Sequence, residues 1–182
     1  MDHLIEKTLS SKVLFEGRVI DVYFEEVELP NGQTSTREIV KHPGAVAIIP
    51  INSKGELLLV RQFRKPLEKI LYEIPAGKLE KGEEPESCAY RELEEETGFK
   101  ALGLEKIAEF YTSPGFADEK IFIYYTNQLE QGQAELDEDE FLDLVPVSLN
   151  EAKDMVKDGR IGDAKTVYAV QYLELLELKK QV

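Results

Sequence analysis

The 182-residue chain predicts an α/β (α+β) sandwich preceded by a strand-rich N-terminal section. Three observations predict it. Short runs dense in Val, Ile, Phe and Tyr recur along most of the length. Three segments carry helix caps and an apolar stripe at helical spacing. The first forty or so residues offer strands and no helix.

Taken in order, residues 13–41 read as strands, with Asn31-Gly32 as a hairpin turn. "HPG" at 42–44 is a seam, which gives an expected division into an N-terminal antiparallel section, 1–43, and a main domain, 44–182. "AVAIIPI" (45–51) is a continuous apolar run, the mark of a strand buried on both faces. "ELLLVRQFR" (56–64) is its return, and further strands are expected at 104–112, 120–128 and 140–147. Pro85 suits a first helical turn and Gly98 a C′ position, so 84–97 is a helix. Ser148 and Glu151 form a capping-box pattern before Leu149, Ala152 and Val156, with Gly159 closing that helix. Asp163 is the N-cap of a third helix, striped by Ala169, Tyr172, Leu173 and Leu176. The polar stretch 129–140 reads as a loop.

The totals exclude several classes. A net charge of −14 argues against a duplex-binding surface. No apolar run has the length of a membrane span, and the N-terminus lacks the apolar core of a signal peptide. A single cysteine, Cys88, rules out an internal disulfide and fits a reducing compartment, so a cytoplasmic protein is expected. "GKLEKGEE" lacks the Lys-Ser or Lys-Thr of a phosphate loop, and His3 and His42 are too few for a zinc site.

The informative segment is the helix at 84–97. Glu92, Glu95 and Glu96 fall on one face, three and four residues apart. Like charges at that spacing cost roughly 0.2–0.5 kcal/mol per pair, and the helix C-terminus adds ~0.3–1 kcal/mol for each acid there. Arg91 can offset part of this through Glu95. Two readings remain from the charges alone: a solvated acidic face, or a face completed by a hard divalent cation such as Mg²⁺, which prefers oxygen ligands. Ala89 and Leu93 anchor the helix to a sheet while the glutamates are expected to face outward. Cys88 is expected in the core.

Spacing favours the cation. From Gly77, five residues precede Glu83; seven more precede Arg91-Glu92-Leu93; one residue on come Glu95-Glu96; and after Thr97 come Gly98-Phe99. Every defined position of this window resembles the signature box of the Nudix hydrolases. The resemblance implies a Nudix-type α/β/α sandwich that holds divalent cations against a diphosphate. It implies Glu92, Glu96 and the Ala76 carbonyl as metal ligands, Glu95 as a third ligand or polar support, and an Arg91–Glu83 pair that fixes the loop.

Outer features resemble the ADP-ribose pyrophosphatase branch. They are Pro114 in "SPGF", the tail "GRIGDAKTVYAVQYL", and the strand-rich start. The branch implies Mg²⁺-dependent hydrolysis of ADP-ribose to AMP and ribose 5-phosphate, with Mn²⁺ as a substitute ion. It implies Glu138 as the base on an acidic loop, Glu140 reaching a metal, and Arg91 and Glu95 supporting catalysis. Arg37 and Arg64 are the nucleotide contacts it suggests, with Arg18 and Val19 approaching adenine from a partner subunit. Ser113, Pro114, Gly115 and Glu119 are expected around the terminal ribose. A homodimer with exchanged N-terminal strands is implied as well. The alternatives are the same fold acting on another ADP-sugar, a GDP-sugar or a damaged nucleotide, and a non-catalytic ADP-ribose-binding sensor.

Overall fold

The computed structural model describes residues 3–136 and 140–180. They form two compact units, Met1–Gly44 with Phe110–Ile121, and Ala45–Glu109 with Phe122–Val182.

The first unit is built on an antiparallel meander of β1 (Lys7–Glu16), β2 (Asp21–Glu28) and β3 (Thr34–Lys41). Its register runs from Glu16 opposite Asp21 and from Glu28 opposite Thr34. The expected Asn31-Gly32 turn is present: Gly32 takes a φ of 81°, and the Asn31 side chain accepts from the Gln33 amide. β1 starts six residues earlier than the apolar pattern at 13 suggested, and all ten of its residues are exposed. With neither face covered, no alternation marks its start. The 112–119 loop docks on β3, where Val40 donates to the Phe116 carbonyl and Asp118 donates back to Val40.

The second unit holds the core. β4 (Ala45–Pro50) is buried at every residue, as a doubly covered strand should be. It lies in a sheet of order β7–β4–β10–β9, with β7 at Ala76–Lys78, β9 at Glu105–Tyr111 and β10 at Lys120–Thr126. β5 (Leu57–Arg64) lies between β6 (Lys69–Glu73) and β12 (Leu142–Val147) in a second sheet. β8 (Phe99–Ala101) and β11 (Leu129–Gln131) make a short ribbon, β11 falling in the stretch 129–140 expected to be a loop. Helix α1 (Pro85–Thr97) packs Cys88, Ala89 and Leu93 onto Val46, Ile48 and Tyr124. α2 (Leu149–Asp158) begins at Ser148, whose Oγ accepts from the Glu151 amide, and it packs on α3 (Ala164–Lys180). These elements match the expected mixture of strands and helices. No helix among the described residues is long and apolar enough to cross a membrane.

Candidate active site

α1 sets the site. Pro85 opens it, and Gly98 closes it at φ 72°, donating to the Glu94 carbonyl. The helix touches β4 and β7 of one sheet and β5 and β12 of the other. Its glutamates therefore do not all face outward, contrary to the sequence expectation. Glu92 and Glu96 are buried, at 9% and 5% exposure. An apolar stripe identifies one covered face, but it cannot report that β7 also closes over Glu92 and Glu96.

Arg91 organises the loop before the helix. Its Nε and Nη2 donate to both Glu83 oxygens at 3.0 Å, while Nη1 donates to Glu92 at 2.8 Å and Glu95 at 2.9 Å. These bonds hold the Glu83 carboxyl at about 2. Cys88 is buried in the core, and burial pushes its thiol up to about 12, so it is no nucleophile at neutral pH.

In the two buried carboxylates burial outweighs such compensation. Burial raises Glu92 despite Arg91 beside it, and Glu95 and Glu140 push it further. Burial pushes Glu96 up to about 8, opposed by the Ala76 amide, with Glu92 and Glu140 adding repulsion. Ala76 donates to Glu96 Oε2 at 3.0 Å. Ile48 donates to the Pro75 carbonyl, and Val46 stands opposite Gly77 across the β4–β7 ladder. In an antiparallel pair the bonded positions alternate, so both amide groups of Ala76 lie on the open edge of β7. The Ala76 carbonyl is thereby offered on the edge that Glu96 occupies. At Gly77 an added Cβ would stand 1.8 Å from Glu92 Cδ, so only glycine lets the carboxylate sit there.

The donor set is all oxygen, buried and mutually repelling, which fits a hard divalent cation. Among the described residues no three acidic, His or Cys side chains form a ready-made metal cage. Glu140 is exposed, and its charge is felt at both buried glutamates. Glu138, the expected base, lies outside the described residues.

Arg64 ends β5 in this same unit. Its Nε and Nη2 grip Glu73 at 2.6 and 2.7 Å, and its charge reaches Glu96. Glu73 is 2% exposed and escaped the sequence reading, as did its second cation, Lys165. The only signal was one acid in the otherwise apolar "ILYEIPAG". Asp163 is the N-cap expected for α3: its Oδ1 accepts from the Thr166 amide at 3.1 Å.

The remaining expected contacts fall in the first unit. Arg18 and Val19 form the exposed turn between β1 and β2. Arg37 is on β3, its guanidinium engaged by Glu6, the Thr36 carbonyl and Ser35. Ser113, Pro114 and Gly115 form a turn in which the Ser113 carbonyl accepts from Phe116 and Ala117. Glu119 follows, bonded by the Thr112 hydroxyl and 3.7 Å from His42 Nε2.

A NUDIX domain model matches residues 41–170. The chain belongs to the NUDIX family. A second model, the nucleoside diphosphate sugar hydrolase N-terminal domain, matches residues 6–40. The chain is 55% identical over 179 residues to an ADP-ribose pyrophosphatase of Bacillus subtilis, covering 97% of each. It is also 55% identical over 177 residues to a methanol dehydrogenase activator of Bacillus methanolicus, covering 96% of each. A solved ADP compounds hydrolase superimposes with a TM-score of 0.84 at 27% identity, covering 98% of this chain and 97% of that one. The α/β sandwich and the family read from the box are thus borne out.

Proposed function

We propose that the chain hydrolyses ADP-ribose to AMP and ribose 5-phosphate, with Mg²⁺ as the ion and Mn²⁺ as a substitute. The observation that carries this is the pair of buried carboxylates, Glu92 and Glu96, which the protein leaves without cations sufficient to balance them. Similarity to the Bacillus subtilis ADP-ribose pyrophosphatase supports the choice of substrate.

Glu92, Glu96, the Ala76 carbonyl and Glu140 are the donors that would hold the ion. When bound, it supplies charge neutralisation at the diphosphate and a more acidic water. Arg91 keeps Glu92 and Glu95 in place through Nη1 while its other nitrogens lock Glu83. Arg64 offers its guanidinium to a phosphate oxygen. Arg37 would exchange its exposed Glu6 pair for the nucleotide, a cheap change because such pairs contribute little. Ser113, Pro114, Gly115 and Glu119 border the terminal ribose, where the Glu119 carboxylate accepts from hydroxyls. Glu138 takes the proton of the attacking water. A new P–O bond forms to that water, and the bridging P–O bond breaks.

The reading includes a cytoplasmic homodimer that exchanges N-terminal strands, with section 1–43 dimerising and 44–182 catalytic. Leu9, Val13 and Phe15 of β1 are exposed at 46%, 43% and 56%, and Arg18 and Val19 follow them in the adjoining turn. A partner subunit would cover that apolar strand.

A panel of ADP-ribose, other ADP-sugars, GDP-sugars and nucleoside triphosphates tests the assignment, run with Mg²⁺ and with chelator. AMP and ribose 5-phosphate, formed only with the ion, are expected. Pyrophosphate released from a triphosphate would contradict the substrate class. Equal similarity to the Bacillus methanolicus activator favours a second reading, stimulation of a methanol dehydrogenase, checked by adding the chain to that enzyme's assay.

A further inference from the structure

The end of β6 and the first turn of α3 share a buried ion group that neither the signature box nor the acidic cluster uses. Glu73 Oε1 accepts from Arg64 Nε, and its Oε2 accepts from both Arg64 Nη2 and Lys165 Nζ. Lys165, 13% exposed, also donates to Asp163 Oδ1 at 2.9 Å. The same turn closes over the strand end, where Thr166 Oγ1 accepts from the Ile74 amide at 3.0 Å.

Two nitrogens of Arg64 are committed to Glu73, and Nη1 has no hydrogen-bond partner among the described residues. A planar fork held at two points fixes the direction of the third nitrogen. Charge matters as much as direction. Arg64 and Glu73 alone are a neutral pair, with little pull on a phosphate. Lys165 shares the same carboxylate, so the trio Arg64–Glu73–Lys165 carries a net positive charge. Counting Asp163, which Lys165 also bonds, the group of four is formally neutral, whereas without Lys165 it would carry a net negative charge beside Arg64.

We propose that Lys165 is a positioning residue for substrate binding: by sharing Glu73 it leaves the Arg64 guanidinium directed and positively charged toward the substrate's diphosphate. This rests on the reading that Arg64 contacts that diphosphate. It gives the first turn of α3, a hundred residues from Arg64 in the chain, a part in affinity for the nucleotide.

The test is steady-state kinetics on ADP-ribose, with unfolding midpoints measured in parallel, for Lys165→Met, Lys165→Gln, Lys165→Arg, Arg64→Ala and the Arg64→Ala/Lys165→Met double variant. Removing one charged hydrogen bond predicts a rise in KM of about tenfold for Lys165→Met, with kcat little changed. Lys165→Gln, which keeps a polar side chain in place, gives the same result if the Met variant folds poorly. Lys165→Arg restores most of the affinity. In the Arg64→Ala background, loss of Lys165 adds nothing further, because the two act through one contact. An unchanged KM in Lys165→Met, or a full and independent effect in the Arg64→Ala background, overturns the proposal while leaving Arg64's own role standing. An unchanged KM in Arg64→Ala overturns the Arg64 reading and this inference together.

Discussion

Glu73 and Glu96 are both sealed from solvent, at 2% and 5% exposure, yet their surroundings are opposite. Burial alone would raise Glu73, but Arg64 and Lys165 overcome it and hold the carboxyl at about 2. Glu96 has one peptide N–H and a distant arginine, and burial takes it to about 8. A buried carboxylate is thus either balanced by the chain or left for something else to balance. The chain has done the first at the end of β6 and the second on α1. On the proposed reading, Glu73 belongs to the architecture and Glu96 to the external ion.

Substitution by glutamine should separate the two most strongly. In Glu96→Gln the hydrolytic rate should fall by at least about a hundredfold, since loss even of a supporting contact to a metal ligand costs 10–100-fold. The same change should raise the unfolding midpoint of the metal-free chain at pH 8, because it removes an unbalanced buried charge. Glu73→Gln should do the reverse to stability, costing about 1.5–3 kcal/mol by weakening the charged hydrogen bonds to Arg64 and Lys165. Chemical denaturation without metal checks both signs. If both variants move stability the same way, the contrast between the sites fails.

A smaller effect sharpens the same contrast through pH. The raised pKa of Glu96 means that folding favours its protonated form. Its contribution is full below about 4.5 and is lost as pH rises toward about 8. Glu73 and Glu83 have lowered values, so their stabilisation is full above about 4.5 and is lost as pH falls toward about 2. The metal-free chain should therefore be most stable near the join of these windows, about pH 5. Saturating Mg²⁺ should flatten the alkaline limb and leave the acid limb alone. Thermal unfolding across pH, with and without the ion, measures this.

The parts legible in the sequence were those whose cause is local. Pro85, Gly98, Ser148 and Asp163 mark helix ends through their own backbone or side chains, and each does so in the structure. β4 was legible because every residue of it is apolar. The short strands β6, β7, β8 and β11, three to five residues each, were not, since so brief a run shows no period. Much of the candidate site was legible because the box fixes its spacing: Arg91 does reach Glu83, Glu92 and Glu95. Burial of Glu92 and Glu96 was not, because it comes from the packing of β7 against α1, which spacing alone does not report. The Glu73 group was hidden too, its lysine partner lying 92 residues away.

Binding of Mn²⁺, a paramagnetic stand-in for Mg²⁺, to wild type, Glu96→Gln and Glu73→Gln is the most direct test of the claim that Glu92 and Glu96 await an external cation. Electron paramagnetic resonance should show free Mn²⁺ depleted by wild type and by folded Glu73→Gln, and left in solution by Glu96→Gln. Equal depletion by Glu96→Gln and wild type would contradict the account.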